Sequence, residues 1–317
     1  MSLLNRASDG MHSVLIVLFE LLLAEKTVAR ERVIGLCSPP HAVDSKQVAQ
    51  TLGTWIKLGL FDEDDKGNIM IHADVRREEK NIEGLARLTR RLVLQEKNNR
   101  NLYAVEDSKA ADFTRALCWM LAQDVYSVSF VGWDDVQRRM MQQLPADLLG
   151  DDEQNLRFIT NKERWAPIKA WMVWFGFAWN GSHPGKVLVM DPTVAIRDSL
   201  SDIFPRVGAT ITGKQLISSL AEAIPVLDRG CYRVDIESRL KEQTGPDAWV
   251  APPNNQLSTS LSRALLRLDD DGILKATRKD DAPDDIRVLL TGRNGAVLHQ
   301  YSHFSFQPKD RKYYSHG

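Results

Sequence analysis

The chain has 317 residues, 43% of them hydrophobic and 26% charged, enough for two or three globular domains that need neither disulfides nor a structural metal. Its 41 basic and 42 acidic side chains leave a net charge of −1, which excludes a protein that coats nucleic acid through bulk charge and confines any DNA contact to a local basic face. Cys37, Cys118 and Cys231 are far apart and form no CxxC pair, so they read as buried reduced thiols and not as a zinc knuckle.

The apolar run Val14 to Leu23 is too short to span a bilayer and is interrupted by Glu20; Asp9 precedes it and no clear small-x-small cleavage site follows. It reads as a buried helix, Met11 to Glu25, of a cytoplasmic protein with no membrane partner. A short second helix follows from Ala29 to Cys37, stopped by Pro39 and Pro40. Asp44 or Ser45 can cap a third, running to about Leu58, whose Val48, Leu52, Trp55 and Ile56 share one face. Gly59 ends it where a left-handed residue is cheap, Leu60-Phe61 starts a strand, Asp65-Lys66-Gly67-Asn68 turns it, and Ile69 to His72 returns. Three helices feeding a β-hairpin is the winged helix-turn-helix order.

Arg76 to Arg100 is charged and helical, with Leu85, Leu88 and Leu92 on one stripe and eight basic against four acidic residues. A less regular second copy of the pattern can be drawn in the middle: helices at Ala110 to Gln123, Trp133 to Leu144 and Asn161 to Phe175, then Gly176, Phe177-Ala178-Trp179, a turn at Asn180 to Gly185, and Val187 to Met190. Trp171, Trp174 and Phe175 share a helical face there, which reads as core. A further copy closes the chain: helices at Lys214 to Ala223, Val234 to Gln243 and Gln256 to Leu268, then Gly272, a strand Ile273 to Thr277, a turn near Pro283, and Ile286 to Leu290. The expected architecture is therefore mainly α with short β-hairpins: tandem winged helix-turn-helix modules joined by helical linkers. The expected divisions are an N-terminal winged helix (1–75), a basic helical linker (76–109), a central winged-helix-like domain (110–205), a C-terminal winged helix (206–291) and a basic, aromatic tail (292–317).

Charge separates the copies. Residues 1–75 carry ten acidic and seven basic side chains, and the hairpin itself holds Asp62, Glu63, Asp64 and Asp65, which a phosphate backbone would repel, so this copy is expected to contact protein. The last copy is the DNA candidate. Its third helix offers Asn255, Gln256, Ser258, Thr259, Ser262, Arg263 and Arg267, whose amides, hydroxyls and guanidinium groups could read bases or grip phosphates, and its hairpin adds Lys275, Arg278 and Lys279 against Asp280, Asp281, Asp284 and Asp285. A solvated polar helix face explains the same residues. Lys309, Arg311 and Lys312 beside Tyr313 and Tyr314 would suit a phosphate backbone or an unstructured terminus.

Catalytic signatures are missing. Gly208-Ala209-Thr210-Ile211-Thr212-Gly213-Lys214-Gln215 nearly spells a P-loop, but Gln215 stands where magnesium needs a hydroxyl, so Gly213 and Lys214 read as a helix start. His299 and His303 have a metal-ligand spacing without a third ligand, and Asp269-Asp270-Asp271 falls at a helix end. Neither a metal nor a cofactor is expected, and the chain reads as a binding protein and not an enzyme.

Several strings resemble the DpdG family: Met1-Ser2-Leu3-Leu4-Asn5 with Ser8-Asp9-Gly10; Gln50-Thr51-Leu52 with Trp55 and Leu58-Gly59-Leu60-Phe61; and Phe113 to Asp124 (FTRALCWMLAQD). That family belongs to the bacterial gene cluster that inserts 7-deazaguanine derivatives into DNA and restricts foreign DNA. The resemblance implies an accessory role in DNA modification or phage defence, with partner proteins of that complex and double-stranded DNA as partners. A winged-helix transcription regulator and a structural subunit of a condensin-like complex are the alternatives.

Overall fold

A computed structural model describes residues 3–4, 12–38, 46–100, 102–103, 109–143, 162–181, 187–245, 248–253 and 255–307. Outside them fall the Asp44/Ser45 cap, much of the opening string of the family resemblance, most of the Asn180 to Gly185 turn, and the Lys309 to Tyr314 cluster. The chain is mainly helical with small antiparallel sheets and divides into two compact units, Met1–Thr114 with Gln154–Phe175, and Arg115–Glu153 with Gly176–Gly317.

Unit 1 begins with α1 (His12–Glu25), which buries Leu15, Leu18, Phe19 and Leu22 at the three- and four-residue steps of one helical face. Lys26, at φ +66°, turns the chain into β1 (Thr27–Ala29), which runs straight into α2 (Arg30–Cys37). Helix α3 (Lys46–Lys57) buries Val48, Leu52 and Trp55 and ends at Gly59, φ +86°, as its sequence required. Strands β2 (Phe61–Glu63) and β3 (Asn68–Ile71) form the expected hairpin, and β1 adds to its far side in the order β1-β3-β2. Three residues are too few to show alternation, so β1 exists only through its pairing of Val28 with Ile69.

The stretch 76–100 is part of this unit. Helix α4 (Leu85–Leu94) buries the predicted Leu85, Leu88 and Leu92, and also Arg90, whose Nη1 donates to the Phe175 carbonyl at 2.8 Å. Arg76 and Arg91 both grip Glu79 at 3.0 and 2.7 Å. The positive charge counted there is thus partly spent inside the fold. Helix α7 (Lys162–Trp174) returns to the same core, where Trp171 meets Trp55 edge-on at 5.7 Å and stacks on Phe175 at 5.2 Å, and Phe113 meets Phe175 at 5.5 Å. The 110–205 stretch is accordingly divided between the units: α7 packs in unit 1, while the hairpin that follows it belongs to unit 2.

Unit 2 contains the later part of α5 (Ala111–Ala122), α6 (Trp133–Gln143), the hairpin β4 (Ala178–Asn180) and β5 (Leu188–Met190), and α8 (Thr193–Ile203), a helix the sequence reading missed. The buried face of α8 is made of Ala195, Ile196, Ser199 and Leu200, only two of which are large and apolar, so the period is weak. Strand β6 (Thr210–Thr212) then runs straight into α9 (Gly213–Ala223). The resemblance to a P-loop dissolves here: Thr212 and Gln215 form a reciprocal capping box, which starts the helix at Gly213. Helices α10 (Cys231–Lys241) and α11 (Thr259–Asp270) follow, and Gly272 at φ +68° leads to β7 (Leu274–Thr277).

The expected partner of β7 was the segment Ile286 to Leu290. Instead β8 (Val288–Thr291) pairs with β9 (Val297–Tyr301), and β7 pairs with β10 (His303–Phe306), whose other edge takes β6. Residues 297–306, expected in a tail, are thus two strands, and Phe304 and Phe306 are core residues. The sheet order β6-β10-β7 repeats β1-β3-β2: in each three-stranded sheet the first strand joins the outer side of a later pair and feeds directly into a helix.

Two stability predictions follow from this packing. A Cβ at Gly176, φ +75°, would lie 2.7 Å from Val194 Cγ1 and 3.0 Å from the Ala195 nitrogen, whereas at Gly59 it would meet only the movable end of Lys97 at 3.1 Å. Gly176→Ala should therefore lower unfolding free energy by about 2–4 kcal/mol and Gly59→Ala by about 1 kcal/mol, read from urea denaturation. Burial pushes the Glu79 carboxyl up, but the guanidinium groups of Arg76 and Arg91 outweigh it and hold it at about 2, below the ordinary 4.5. A depressed carboxylate stabilises fully above its unfolded value, so this contribution should vanish as pH falls from about 4.5 to about 2. Both arginines face solvent, which limits it to about 1–2 kcal/mol, and Glu79→Gln should remove that much at pH 7 but little at pH 2.

Candidate nucleic-acid interface

The N-terminus of α11 was the expected base-reading surface, and most of it lies inside unit 2. A helix start leaves backbone N–H groups without intrahelical partners, and Ser258 supplies one by accepting from Leu261 N. Asp228 in turn accepts from both the Ser258 nitrogen and its hydroxyl, each at 2.6 Å. Thr259 Oγ1 accepts from Val125 N at 3.0 Å, Ser260 Oγ donates to the Leu121 carbonyl at 2.9 Å, and Ser262 Oγ accepts from Thr291 N at 2.9 Å. Ser258, Thr259 and Ser262, expected to face DNA bases, are buried and bonded to three other segments, at Asp228, Val125 and Thr291. Their polarity satisfies backbone groups of the protein itself.

The charged members remain at the surface. Arg263 lies 5.6 Å from the ring centre of Tyr126, and Arg293 lies 5.5 Å from the same ring. Neither arginine has a carboxylate partner among the described residues. Arg267 is ion-paired with Asp191, which also accepts from the Thr193 backbone and hydroxyl. Lys275, on β7, is exposed and has no ion pair among the described residues, and the same holds for the ammonium of Lys279, whose backbone nitrogen is anchored on Ser302 Oγ at 2.9 Å. Arg278 faces Asp280 at 3.4 Å. The acidic residues of the same loop are partly occupied: Asp284 by Arg287 at 3.2 Å and Asp285 by Lys214 at 3.7 Å. Strand β7 and the loop after it thus carry two lysines without an ion pair among the described residues, beside three ion-paired carboxylates and the exposed Asp281. Tyr126 and Arg293 were missed because they are distant in sequence from α11 and neither carries a motif.

In unit 1 the acidic hairpin is less free than its composition suggested. Glu63 is ion-paired with Arg30 at 2.5 Å. Asp64 closes the turn, accepting from Lys66 N, Asn68 N and Asn68 Nδ2 between 2.8 and 2.9 Å, and these bonds, led by the Asn68 side chain, lower its pKa. Asp62 accepts from Glu63 N at 2.9 Å, and Asp62 and Asp65 stay exposed.

Other candidate chemistry disperses. His299 and His303 sit on successive strands, and Asp269 Oδ1 accepts from Ala276 N at 2.9 Å, tying the helix end to β7. Among the described residues no group of three His, Cys, Asp or Glu side chains could hold a metal, and no helix is long and apolar enough to cross a membrane. Cys118 is buried, which pushes its thiol well up, but Cys37 is half-buried and Cys231 exposed, against the expectation of three buried thiols.

A family model described as DpdG-like matches residues 1–282, well beyond the first 125 residues that carried the resemblance and as far as the loop after β7. No curated protein and no solved structure matches the chain.

The capping node gives a direct test. Ser258→Ala removes the cap and leaves the buried Asp228 carboxylate short of one donor, so it should cost about 1–3 kcal/mol by urea denaturation. Arg263→Ala, on the surface, should change stability by less than about 0.5 kcal/mol.

Proposed function

The chain belongs to the DpdG-like family, which associates it with the Dpd DNA-modification cluster, and from that premise we propose that it is a non-catalytic accessory subunit built on two winged-helix modules. The shared strand order supports the modules: β1 leads into α2 as β6 leads into α9, and α3 precedes its hairpin as α11 precedes β7. In the second module α10 and the β8–β9 hairpin are insertions into that order.

The observation that carries a DNA role is the set of exposed basic groups in the second module, Lys275, Arg278 and Lys279 beside β7, with the half-buried Arg263 on α11. A winged helix usually reads DNA with its third helix. Here α11 is committed to the interior, so the proposed contact is made mainly to phosphates by the hairpin and is weakly sequence-specific. The first module, whose hairpin exposes Asp62 and Asp65, repels phosphate and is proposed to dock a partner protein of the modification complex, with Glu63 and Asp64 shaping the turn. The reading places the protein in the cytoplasm, where such a system meets DNA.

The test is duplex binding measured by fluorescence anisotropy over a salt series. Changing Lys275, Arg278 and Lys279 together to Ala should weaken binding to a 20-base-pair duplex about tenfold or more and flatten the salt dependence by about two to three contacts. Arg267→Ala should matter less than Arg263→Ala, because Arg267 is already paired with Asp191. Asp62→Lys with Asp65→Lys should leave duplex affinity equal or higher while abolishing co-purification of partner proteins. Unchanged duplex binding in the triple variant would remove the DNA role.

A further inference from the structure

Unit 2 contains a cleft of about 470 Å³, in the size range of small-molecule sites. One wall is apolar, formed by Trp249, Val250, Pro252 and Pro253, and Trp249 is fixed by donating its Nε1 hydrogen to the Ala122 carbonyl at 2.7 Å. The floor is polar. Gln123 and Gln143 are both buried and exchange reciprocal amide hydrogen bonds at 2.9 and 3.1 Å, and Trp119 Nε1 donates to Gln143 at 2.9 Å. The Gln123 oxygen, with one bond received, can accept another at the cleft.

Arg139 also lines the cleft, and its guanidinium has no ion pair or hydrogen bond among the described residues, although its Nε is buried. A buried N–H without an acceptor is costly, and a guanidinium beside an apolar wall favours an anionic, bidentate ligand. More positive charge borders the opening: Arg293 adjoins the lining residue Asn294, Arg263 follows the lining Thr259 by one turn, and both approach Tyr126. Among the described residues the lining holds one carboxylate, Asp124, which is engaged locally by Tyr126 N at 3.1 Å and Ser127 Oγ at 2.8 Å.

We propose that this cleft binds a single nucleotide, with Arg139 and the rim arginines on the phosphate and the base lying against Trp249 and Pro252–Pro253, its edge toward the glutamine pair. The proposal deepens the DNA reading above and rests on it only for the source of the nucleotide, which is either an unpaired residue of DNA or a free nucleotide.

The experiment is isothermal titration of the full chain with dGMP and dTMP, with the nucleosides deoxyguanosine and thymidine, and with inorganic phosphate. One equivalent of a nucleotide should bind, at least tenfold more tightly than its nucleoside or phosphate. Arg139→Gln should weaken that binding tenfold or more, with partial recovery in Arg139→Lys. No nucleotide binding in the wild type, or equal binding in Arg139→Gln, overturns the proposal, and so does displacement of the nucleotide requirement by a glutamate-rich peptide that binds more tightly at Arg139. Competition by a duplex with one unpaired guanosine, but not by its fully paired counterpart, assigns the nucleotide to DNA; failure of both to compete assigns it to the free pool. Fully paired duplex affinity, measured in parallel, separates the two readings: its survival without nucleotide binding removes only the cleft, and its loss with nucleotide binding intact removes only the duplex contact.

Discussion

Unit 2 is organised around the buried start of α11. A helix N-terminus presents donors that must find acceptors, and burial makes each unmet donor expensive. Ser258 answers from within the helix, Asp228 orients Ser258, and Thr259, Ser260 and Ser262 reach the ends of α5 and β8. One short run of hydroxyls therefore fixes the angle at which α11 enters the core. That angle determines where β7 emerges and which charges reach the surface. The same node sits at the cleft, since Ser258, Thr259 and Thr291 line it.

Unit 1 is held together differently. Its core is aromatic and long-range: Trp55 on α3, Trp171 on α7, then Phe175 and Phe113 form one chain of ring contacts. Around that core Arg90 turns inward to a carbonyl, while Arg76 and Arg91 reach from the surface to the buried Glu79 carboxylate. The two three-stranded sheets thus share a strand order but differ in the charges beside them: the hairpin of unit 1 exposes Asp62 and Asp65, while β7 and the loop after it expose Lys275, Arg278 and Lys279 among four carboxylates.

The legible parts were those governed by near neighbours in sequence. The leucine stripe of α4, the face of α3 and the turn at Gly67 follow from periodicity and turn chemistry within a few residues. The elements that escaped are those whose identity depends on a distant partner. Strands β1 and β6 are three residues long and are strands only because β3 and β10 pair with them. Helix α8 hid behind a face of Ala, Ile, Ser and Leu, and the β7 partner was misassigned because β8 is nearer in sequence than β10 and equally apolar. At the candidate interface, Lys275, Arg278 and Lys279 are exposed where a turn-flanking strand suggested they would be. Tyr126, Arg139 and Arg293 left no signal, because three separate segments have to converge before they become one site.

The sequence by itself determined where helices stop. Gly59, Gly176 and Gly272 all adopt positive φ, at +86°, +75° and +68°, since only a residue without a Cβ takes that backbone turn cheaply. It also determined the opposition of acidic and basic segments, because charge is carried by composition. Which of two polar residues on α11 turns inward was decided by the tertiary structure alone. Ser262 and Arg263 are adjacent and both polar, and one meets the Thr291 amide in the core while the other meets Tyr126 nearer the surface. A hydroxyl can be buried once an acceptor or donor is brought to it, and only the folded chain supplies that partner.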